Sequence, residues 1–256
     1  MSTQYDSLAA DYPDVQNLPG AAIEEINVQG AIGSLDGTRC LDLACGDGHF
    51  SRLLLEWGAK EVIGVDISRG MLEQAANLSK EQISRGRLRL IQSDVSKSID
   101  VDGEFDVILA SWLLNYAPDR ETMDNMFRNI EAKLKTGGEF VGLTTPPQRG
   151  TKVDLEANLR NSIKYGCSGR ITKEMEIGFG VHNVLGMEGK PIAEMDDFYL
   201  RPDVYESAAA RNSLHNCEWK RVFATKELKE KYGETFWDDC FQGSAFRCIR
   251  GFEVEL

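Results

Sequence analysis

Three carboxylates and one glycine turn carry the chemistry this sequence offers. Leu41-Asp42-Leu43-Ala44-Cys45-Gly46-Asp47-Gly48-His49-Phe50 places an acid ahead of a Gly-x-Gly turn. A second acid, Asp66 in Gly64-Val65-Asp66-Ile67, lies twenty residues beyond Gly46, and a third stands in Gln92-Ser93-Asp94-Val95. Glycines allow a tight turn and close approach of backbone to a ligand. An acid about twenty residues after such a turn is placed to accept hydrogen bonds from ribose hydroxyls. Acids at three successive strand ends suit a nucleoside lying across a sheet.

The elements that must position these residues follow from hydrophobic periodicity. Cys40–Ala44, Val62–Val65, Leu88–Ile91, Phe105–Ala110 and Phe140–Leu143 read as short apolar strands. Helix-period runs lie between them: Phe50, Leu53, Leu54 and Trp57; then Met71, Leu72, Ala75 and Leu78; then Met123, Met126, Phe127, Ile130 and Leu134. Ser68 and Asp119 are expected to cap the second and third of these helices. Gly137-Gly138 is expected to end the third. Strands that are apolar throughout are expected where helices cover both faces of a parallel sheet. The order predicts a doubly wound α/β fold. The pattern changes after Pro146-Pro147, and residues 148 to about 191 are expected to form an insertion over the carboxyl ends of the strands. Pro202 is expected to start a helix through Leu214. Alternating strands near Cys217–Phe223 and from Phe246 through Cys248 to Phe252 and Val254 are expected to form an antiparallel pair at the sheet edge.

Charge decides between two nucleoside classes. A dinucleotide would set its diphosphate at the first helix N-terminus, against neutral backbone. Here that loop carries Asp42 and Asp47, and Ser51 stands in place of a third glycine. Each carboxylate near a diphosphate would cost on the order of 1 kcal/mol or more. A sulfonium and an ammonium at the same point suffer no such penalty, which favours S-adenosylmethionine over NAD.

The stretch from Asp42 to Gly48 resembles the first motif of class I S-adenosylmethionine-dependent methyltransferases, with Ala44 where the family often has Gly. Val65-Asp66-Ile67 resembles the second motif and Ser93-Asp94-Val95 the third. Leu134-Lys135-Thr136-Gly137-Gly138-Glu139-Phe140 is similar to the family's turn into the fifth strand. The resemblance covers about residues 38 to 145 well, and the last two strands more loosely. It implies a mostly parallel seven-stranded sheet with helices on both faces and an antiparallel last strand. It also implies Asp66 on the ribose hydroxyls, Ile67 against adenine and Asp94 on the adenine amine, with Asp42 and Ala44, Gly46 and Gly48 around the amino-acid tail. Met71, Val95, Ala110 and Ser111 complete the implied cofactor contacts. Tyr5-Asp6-x-x-Ala9-x-x-Tyr12 resembles the N-terminal lid of small-molecule methyltransferases, with Tyr12 over the cofactor and Tyr5 towards the acceptor.

Each of these residues also has a structural reading. Asp42 suits holding loop amides, and Tyr5 and Tyr12 suit surface packing. Trp112, Asn115 and Tyr116 follow the fourth strand and are expected to face the acceptor, with core packing an equal alternative for Trp112. His49 opens the first helix, where a capping role fits as well as catalysis. His182 lies in the insertion and is the candidate catalytic base. His215 is expected at a helix end, where a cation suits the dipole. Methyl transfer needs a base only if the acceptor atom keeps a proton at neutral pH.

Composition narrows the partners. The chain has 256 residues, 41 acidic against 29 basic, and a formal charge of −12. Binding to phosphate backbones needs the opposite balance, so nucleic acid and anionic membranes are not expected. No apolar run approaches the ~18 residues of a membrane span, and the polar N-terminus does not read as a signal peptide. The six cysteines form no metal-ligand spacing, so no metal is expected, and reduced thiols in a cytoplasmic setting are the simplest reading. The fourth strand leads into Ser111-Trp112-Leu113-Leu114-Asn115, without the Pro-Pro motif that adenine and glutamine N-methyltransferases resemble. There is no three-cysteine iron–sulfur run. The sequence therefore predicts one methyltransferase domain over 1–256, with a lid at 1–35 and a substrate-side insertion at about 146–192. It is expected to methylate an O, N or S atom of a small organic acceptor. The alternatives are a non-catalytic S-adenosylmethionine-binding subunit and an NAD-dependent oxidoreductase.

Overall fold

Five parallel strands set the frame: β1 (Arg39–Leu43), β2 (Glu61–Asp66), β3 (Leu88–Gln92), β4 (Phe105–Ser111) and β5 (Leu134–Thr144). The computed structural model describes residues 3–145, 150–187, 189–220, 224–238 and 244–251. Strands β9 (Leu214–Lys220) and β10 (Ser244–Arg250) extend the sheet to seven, in the order β3-β2-β1-β4-β5-β10-β9. Strand β10 runs antiparallel to both β5 and β9. This is the doubly wound, mostly parallel sheet that the sequence predicts. The final strand sits one place in from the edge, which β9 occupies.

Alternation along the strands feeds two cores. Leu41, Leu43, Ile63, Val65 and Ile108 pack with Met123, Phe127 and Ile130 of α5 (Arg120–Lys133) and Tyr205 of α7 (Pro202–Arg211). Cys40, Val62, Val107 and Leu109 pack with Val28 of α1 (Pro19–Ala31) and with Phe50 and Leu54 of α2 (His49–Glu56). Both expected caps form. Ser68 accepts from Met71 N at the start of α3 (Arg69–Leu78), and Asp119 accepts from Thr122 N at the start of α5. The short helices α4 (Lys80–Ser84) and α8 (Lys226–Tyr232) lie outside the site.

The insertion has more regular structure than its sequence suggests. Helix α6 (Lys152–Asn161) leads into an antiparallel sheet of β6 (Cys167–Met175), β7 (Gly178–Met187) and β8 (Lys190–Leu200). It continues past residue 192 to Leu200. Leu155 and Leu159 of α6 pack on Val181 and Tyr199. Periodicity is weak in the sequence because β6 is largely exposed, so it shows no clean alternation.

Three local expectations are corrected. Gly137-Gly138 lies inside β5, in a bulge where pairing jumps from Phe105↔Leu134 to Val107↔Glu139. A Cβ on Gly138 would lie 2.8 Å from Lys135 O, which is why glycine is needed there. The helix begun by Pro202 ends at Arg211, because the turn through Ser213 (φ 56°) starts β9, so His215 sits on a strand opposite Ile249. Cys217 and Cys248 form a disulfide between β9 and β10, where reduced thiols were expected, while Cys40 and Cys45 are free. Pro146-Pro147, Phe223, Cys240, Phe252 and Val254 lie outside the described residues.

Candidate active site

The chain leaves β1 towards β2 and β3, then returns to β4 on the other side, so strand order reverses between β1 and β4. Ligands of open α/β sheets bind at the carboxyl ends beside such a reversal. A cavity of about 670 Å³ opens there, within the roughly 300–1,000 Å³ of small-molecule sites. Its floor is built from the carboxyl ends of the strands: Asp42 and Ala44 at β1, Asp66 and Ile67 at β2, Asp94 and Val95 beyond β3, Ser111 and Trp112 at β4, and Thr145 beyond β5. Its roof comes from the lid and the insertion, through Tyr5, Tyr12, Asn183, Met195, Asp197 and Tyr199.

The glycine loop is held in left-handed backbone at Ala44 (φ 59°), Gly46 (φ 54°) and Gly48 (φ 77°). A Cβ on Gly46 would meet nothing within 4 Å. The loop therefore presents bare backbone to the cavity at that point. Gly46 N donates to Asp66 Oδ2 and Ser68 N to Asp66 Oδ1, each at 2.8 Å, tying the loop to the second strand end. Asp42 is 1% exposed and accepts from Ser51 Oγ at 2.6 Å on Oδ2. Its Oδ1 has no hydrogen-bond partner among the described residues, nor has Asp47 Oδ2, Ser111 Oγ or Asn115 Oδ1. Buried acceptors of this kind mark a site for a ligand that brings donors.

Of the residues singled out from sequence, Tyr5, Tyr12, Asp42, Ala44, Gly46, Asp66, Ile67 and Met71 all line this cavity. So do Asp94, Val95, Ser111, Trp112, Asn115 and Tyr116. Gly48 and Ala110 do not: Gly48 caps α2 behind the loop, and Ala110 is buried inside β4. His182 is also placed elsewhere. Asn183 and Asp197 face the cavity, so their strand neighbours His182 and Asp196 point to the opposite face. There His182 Nδ1 meets Asp196 Oδ1 at 3.0 Å and Nε2 lies 3.4 Å from Glu194 Oε2. A strand's two-residue period thus removes His182 as a base. His49 does line the cavity, but its Nε2 is taken by Glu25 Oε1 at 2.9 Å.

Several cavity residues had no sequence signal. Glu24 arrives from α1 and accepts from Trp112 Nε1 at 3.1 Å. That bond fixes Trp112, which sits in left-handed backbone (φ 58°) just after β4. Asp197 accepts from Asn115 Nδ2 at 2.9 Å and from Asn183 Nδ2 at 2.8 Å. The Asp196-Asp197 doublet hints that one acid must point inward, but only a known strand register could say which.

Burial shifts these acids. Desolvation pushes Asp42, Glu24 and Asp197 up to about 7 each and raises Asp66 as well, the last opposed by the Ser68 and Gly46 amides. The folded protein therefore holds protons that the unfolded chain has already released. Stability falls with pH wherever the native state binds more protons. The ligand-free protein is expected to lose stability as pH rises from the ordinary carboxylate range through about 7. Its melting temperature should drop by several degrees across that window and level off above it. A melting series in constant ionic strength checks this; a flat or rising profile contradicts the buried, unpaired placement.

Residues 40–138 match the methyltransferase domain family. The chain is 35% identical over 158 residues to a protein of Haemophilus influenzae, covering 61% of each. It is 31% identical over 110 residues to the malonyl-[acyl-carrier protein] O-methyltransferase of Legionella pneumophila, covering 43% of this chain and 37% of that enzyme. These matches span less than two thirds of either relative. In fold it is similar to an S-adenosylmethionine-dependent methyltransferase of Mesorhizobium loti, with TM-score 0.60 at 19% identity, covering 87% of this chain and 95% of the other.

Proposed function

We propose, from the premise that residues 40–138 belong to the methyltransferase domain family, that this protein transfers a methyl group from S-adenosylmethionine to a small organic acceptor. The observation that carries this reading is the pairing of buried, unsatisfied acceptors with bare glycine backbone at one strand end. Asp42 Oδ1 needs a donor, Gly46 leaves room for one, and neither Lys nor Arg lines the cavity among the described residues. A cationic amino-acid tail fits that corner and a diphosphate does not. The same features speak against NAD. When bound, S-adenosylmethionine supplies a methyl group on a sulfonium, with a neutral thioether as leaving group.

The chain's own part is binding and alignment. Asp66 is proposed to accept from the ribose hydroxyls, Asp94 from the adenine amine and Asp42 from the ammonium. Ile67, Met71 and Val95 give the apolar walls of the base pocket. The lid closes the opposite side, with the Tyr12 and Tyr5 rings edge-on at 5.9 Å and the Tyr5 hydroxyl bonded to that of Tyr116. A closed lid excludes water and holds the acceptor in line with the methyl group, and such positioning can supply roughly 7–11 kcal/mol. The domain organisation we infer is a single unit with a lid at 1–35 and an acceptor-side insertion beginning near 146. The acidic balance and a cavity of about 670 Å³ support a small molecule over nucleic acid. No helix among the described residues is long and apolar enough to cross a membrane. A cytoplasmic location is proposed from Cys40 and Cys45 being free thiols, with the Cys217–Cys248 bridge against it.

The lid has a latch outside the cavity. Asp6 Oδ1 accepts from Ser68 Oγ at 2.7 Å and Gly70 N at 3.3 Å, at the start of α3. Bonds from Ser68 and the Thr3 amide hold its carboxyl down at about 2. A depressed acid gives its contribution above the ordinary carboxylate range and loses it as pH falls towards that value. Asp6→Ala is expected to speed S-adenosylmethionine release several-fold, with little change in melting temperature. Stopped-flow displacement reads this directly, and an unchanged off-rate would remove the latch.

Calorimetry with S-adenosylmethionine, S-adenosylhomocysteine and NAD tests the main reading. The first two should bind and NAD should not. Turnover with labelled methyl donor and a metabolite extract then separates an enzyme from a cofactor-binding subunit.

A further inference from the structure

Six carboxylates line the cavity, from Glu24, Asp42, Asp47, Asp66, Asp94 and Asp197; Lys97 pairs with Asp94 at 3.0 Å, and among the described residues no Lys or Arg is part of the lining. S-adenosylmethionine brings a sulfonium, an ammonium and one carboxylate, a net single positive charge. Part of the negative field is left for the second ligand, even with burial raising Glu24, Asp42, Asp66 and Asp197. The acceptor half repeats the pattern in its hydrogen bonds. Asn115 and Asn183, 1% and 4% exposed, both turn their amide nitrogens to Asp197, itself 6% exposed. In its ionised form, the form that can take up a proton, Asp197 only accepts, so these bonds fix each amide's orientation. Asn115 Oδ1 is then left as a second acceptor with no partner among the described residues. Asp197 Oδ1 and Oδ2 each accept one bond and have capacity for another. Around them stand the rings of Tyr5, Tyr116 and Tyr199. Aromatic faces attract a cation within about 6 Å. The acceptor half thus offers hydrogen-bond acceptors, negative charge and π faces.

Resting on the methyl-transfer reading above, we propose that the acceptor is an amine, bound with its nitrogen between Asp197 and Asn115 Oδ1, and that Asp197 takes the proton that nitrogen must lose. An alcohol would bring a single donor and no charge, and a carboxylate or phosphate would add to the negative field. Burial works on both partners of the proton transfer. It lowers the amine's affinity for its proton and raises the carboxylate's, and Asp197 is pushed up to about 7. The N–H proton of the bound ammonium passes to the Asp197 carboxylate. The freed nitrogen lone pair forms the N–CH3 bond. The S–CH3 bond breaks with its electron pair going to sulfur, leaving the neutral thioether and an N-methylammonium product.

The test uses the full chain loaded with S-adenosylhomocysteine and sets of matched compounds, each an amine with its alcohol and carboxylate counterparts on the same small aromatic or alicyclic frame. Calorimetry should show the amines binding at least about tenfold tighter than either counterpart, and labelled methyl donor should put mass on nitrogen. Asp197→Asn should erase that preference while S-adenosylhomocysteine affinity stays within about threefold. The wild-type selectivity decides even if this variant folds poorly. Amines that do not bind, alcohols or carboxylates that bind as well, or a preference that survives Asp197→Asn would each overturn the amine assignment. Failure of S-adenosylhomocysteine itself to bind would instead overturn the methyl-transfer reading.

Discussion

Asp66→Ala should weaken S-adenosylmethionine binding by one to two orders of magnitude. Asp66 is 7% exposed and holds two backbone amides, Gly46 N and Ser68 N, at 2.8 Å each. A carboxylate whose two oxygens each accept one amide keeps a lone pair on each for ribose hydroxyls. Removing a charge-assisted hydrogen bond to ligand costs about 1.5–3 kcal/mol, or roughly 10–150-fold in affinity. The same substitution frees the glycine loop, since Gly46 loses its tie to β2. The unfolding free energy should therefore also fall, by about 1–3 kcal/mol for each amide left unpaired. Asp94→Ala separates the two effects. Asp94 Oδ1 holds only its own turn, through Ser96 N and Oγ, so its loss should weaken binding with a smaller drop in stability. Calorimetry and denaturant melts on both variants read the pair. If Asp66→Ala binds S-adenosylmethionine as wild type does, the ribose role is lost and Asp66 serves the loop alone.

The parallel half of the sheet and the floor of the cavity were legible because one backbone segment fixes each residue. A short apolar strand that ends in Asp points that acid to the carboxyl end of the sheet wherever the chain runs next. Asp42, Asp66 and Asp94 therefore reached the cavity on strand pattern alone. The lid's Tyr5 and Tyr12 were legible too, but the insertion's share of the roof was not, for a different reason. Its side chains are chosen by register between strands distant from the glycine loop, and register has a period of two. His182 and Asn183 are adjacent, yet only Asn183 faces the ligand space. Chemical type pointed to the histidine, and geometry selected the amide and, across from it, Asp197. Glu24 failed to register for a third reason: on α1 it belongs to a polar pair, Glu24-Glu25, and only the packing of α1 decides that one member meets Trp112 and the other His49. The Cys217–Cys248 pairing likewise depends on how β9 lies against β10, which no spacing in the chain reveals.

Gly46→Val should abolish detectable S-adenosylmethionine binding, a loss of at least about 100-fold, and it tests the corner on which the proposed function rests. Gly46 has φ 54°, a left-handed conformation that a β-branched residue adopts only under strain. Strain of that kind is of order 1–3 kcal/mol, so the melting temperature should fall but the sheet should persist, because no atom lies within 4 Å of the new Cβ. The open space is the decisive feature. At Gly64, by contrast, an added Cβ would meet Cys45 Sγ at 2.9 Å and Leu90 Cδ2 at 3.0 Å. At Gly46 it enters the cavity that Asp42 also lines, where the ammonium is proposed to sit. Gly64→Ala is thus the matching control. It should destabilise by about 1–3 kcal/mol through overpacking yet leave the fraction that stays folded able to bind. Binding lost at Gly64 and kept at Gly46 would move the ligand away from the glycine loop, and with it the charge argument that favours a sulfonium over a diphosphate.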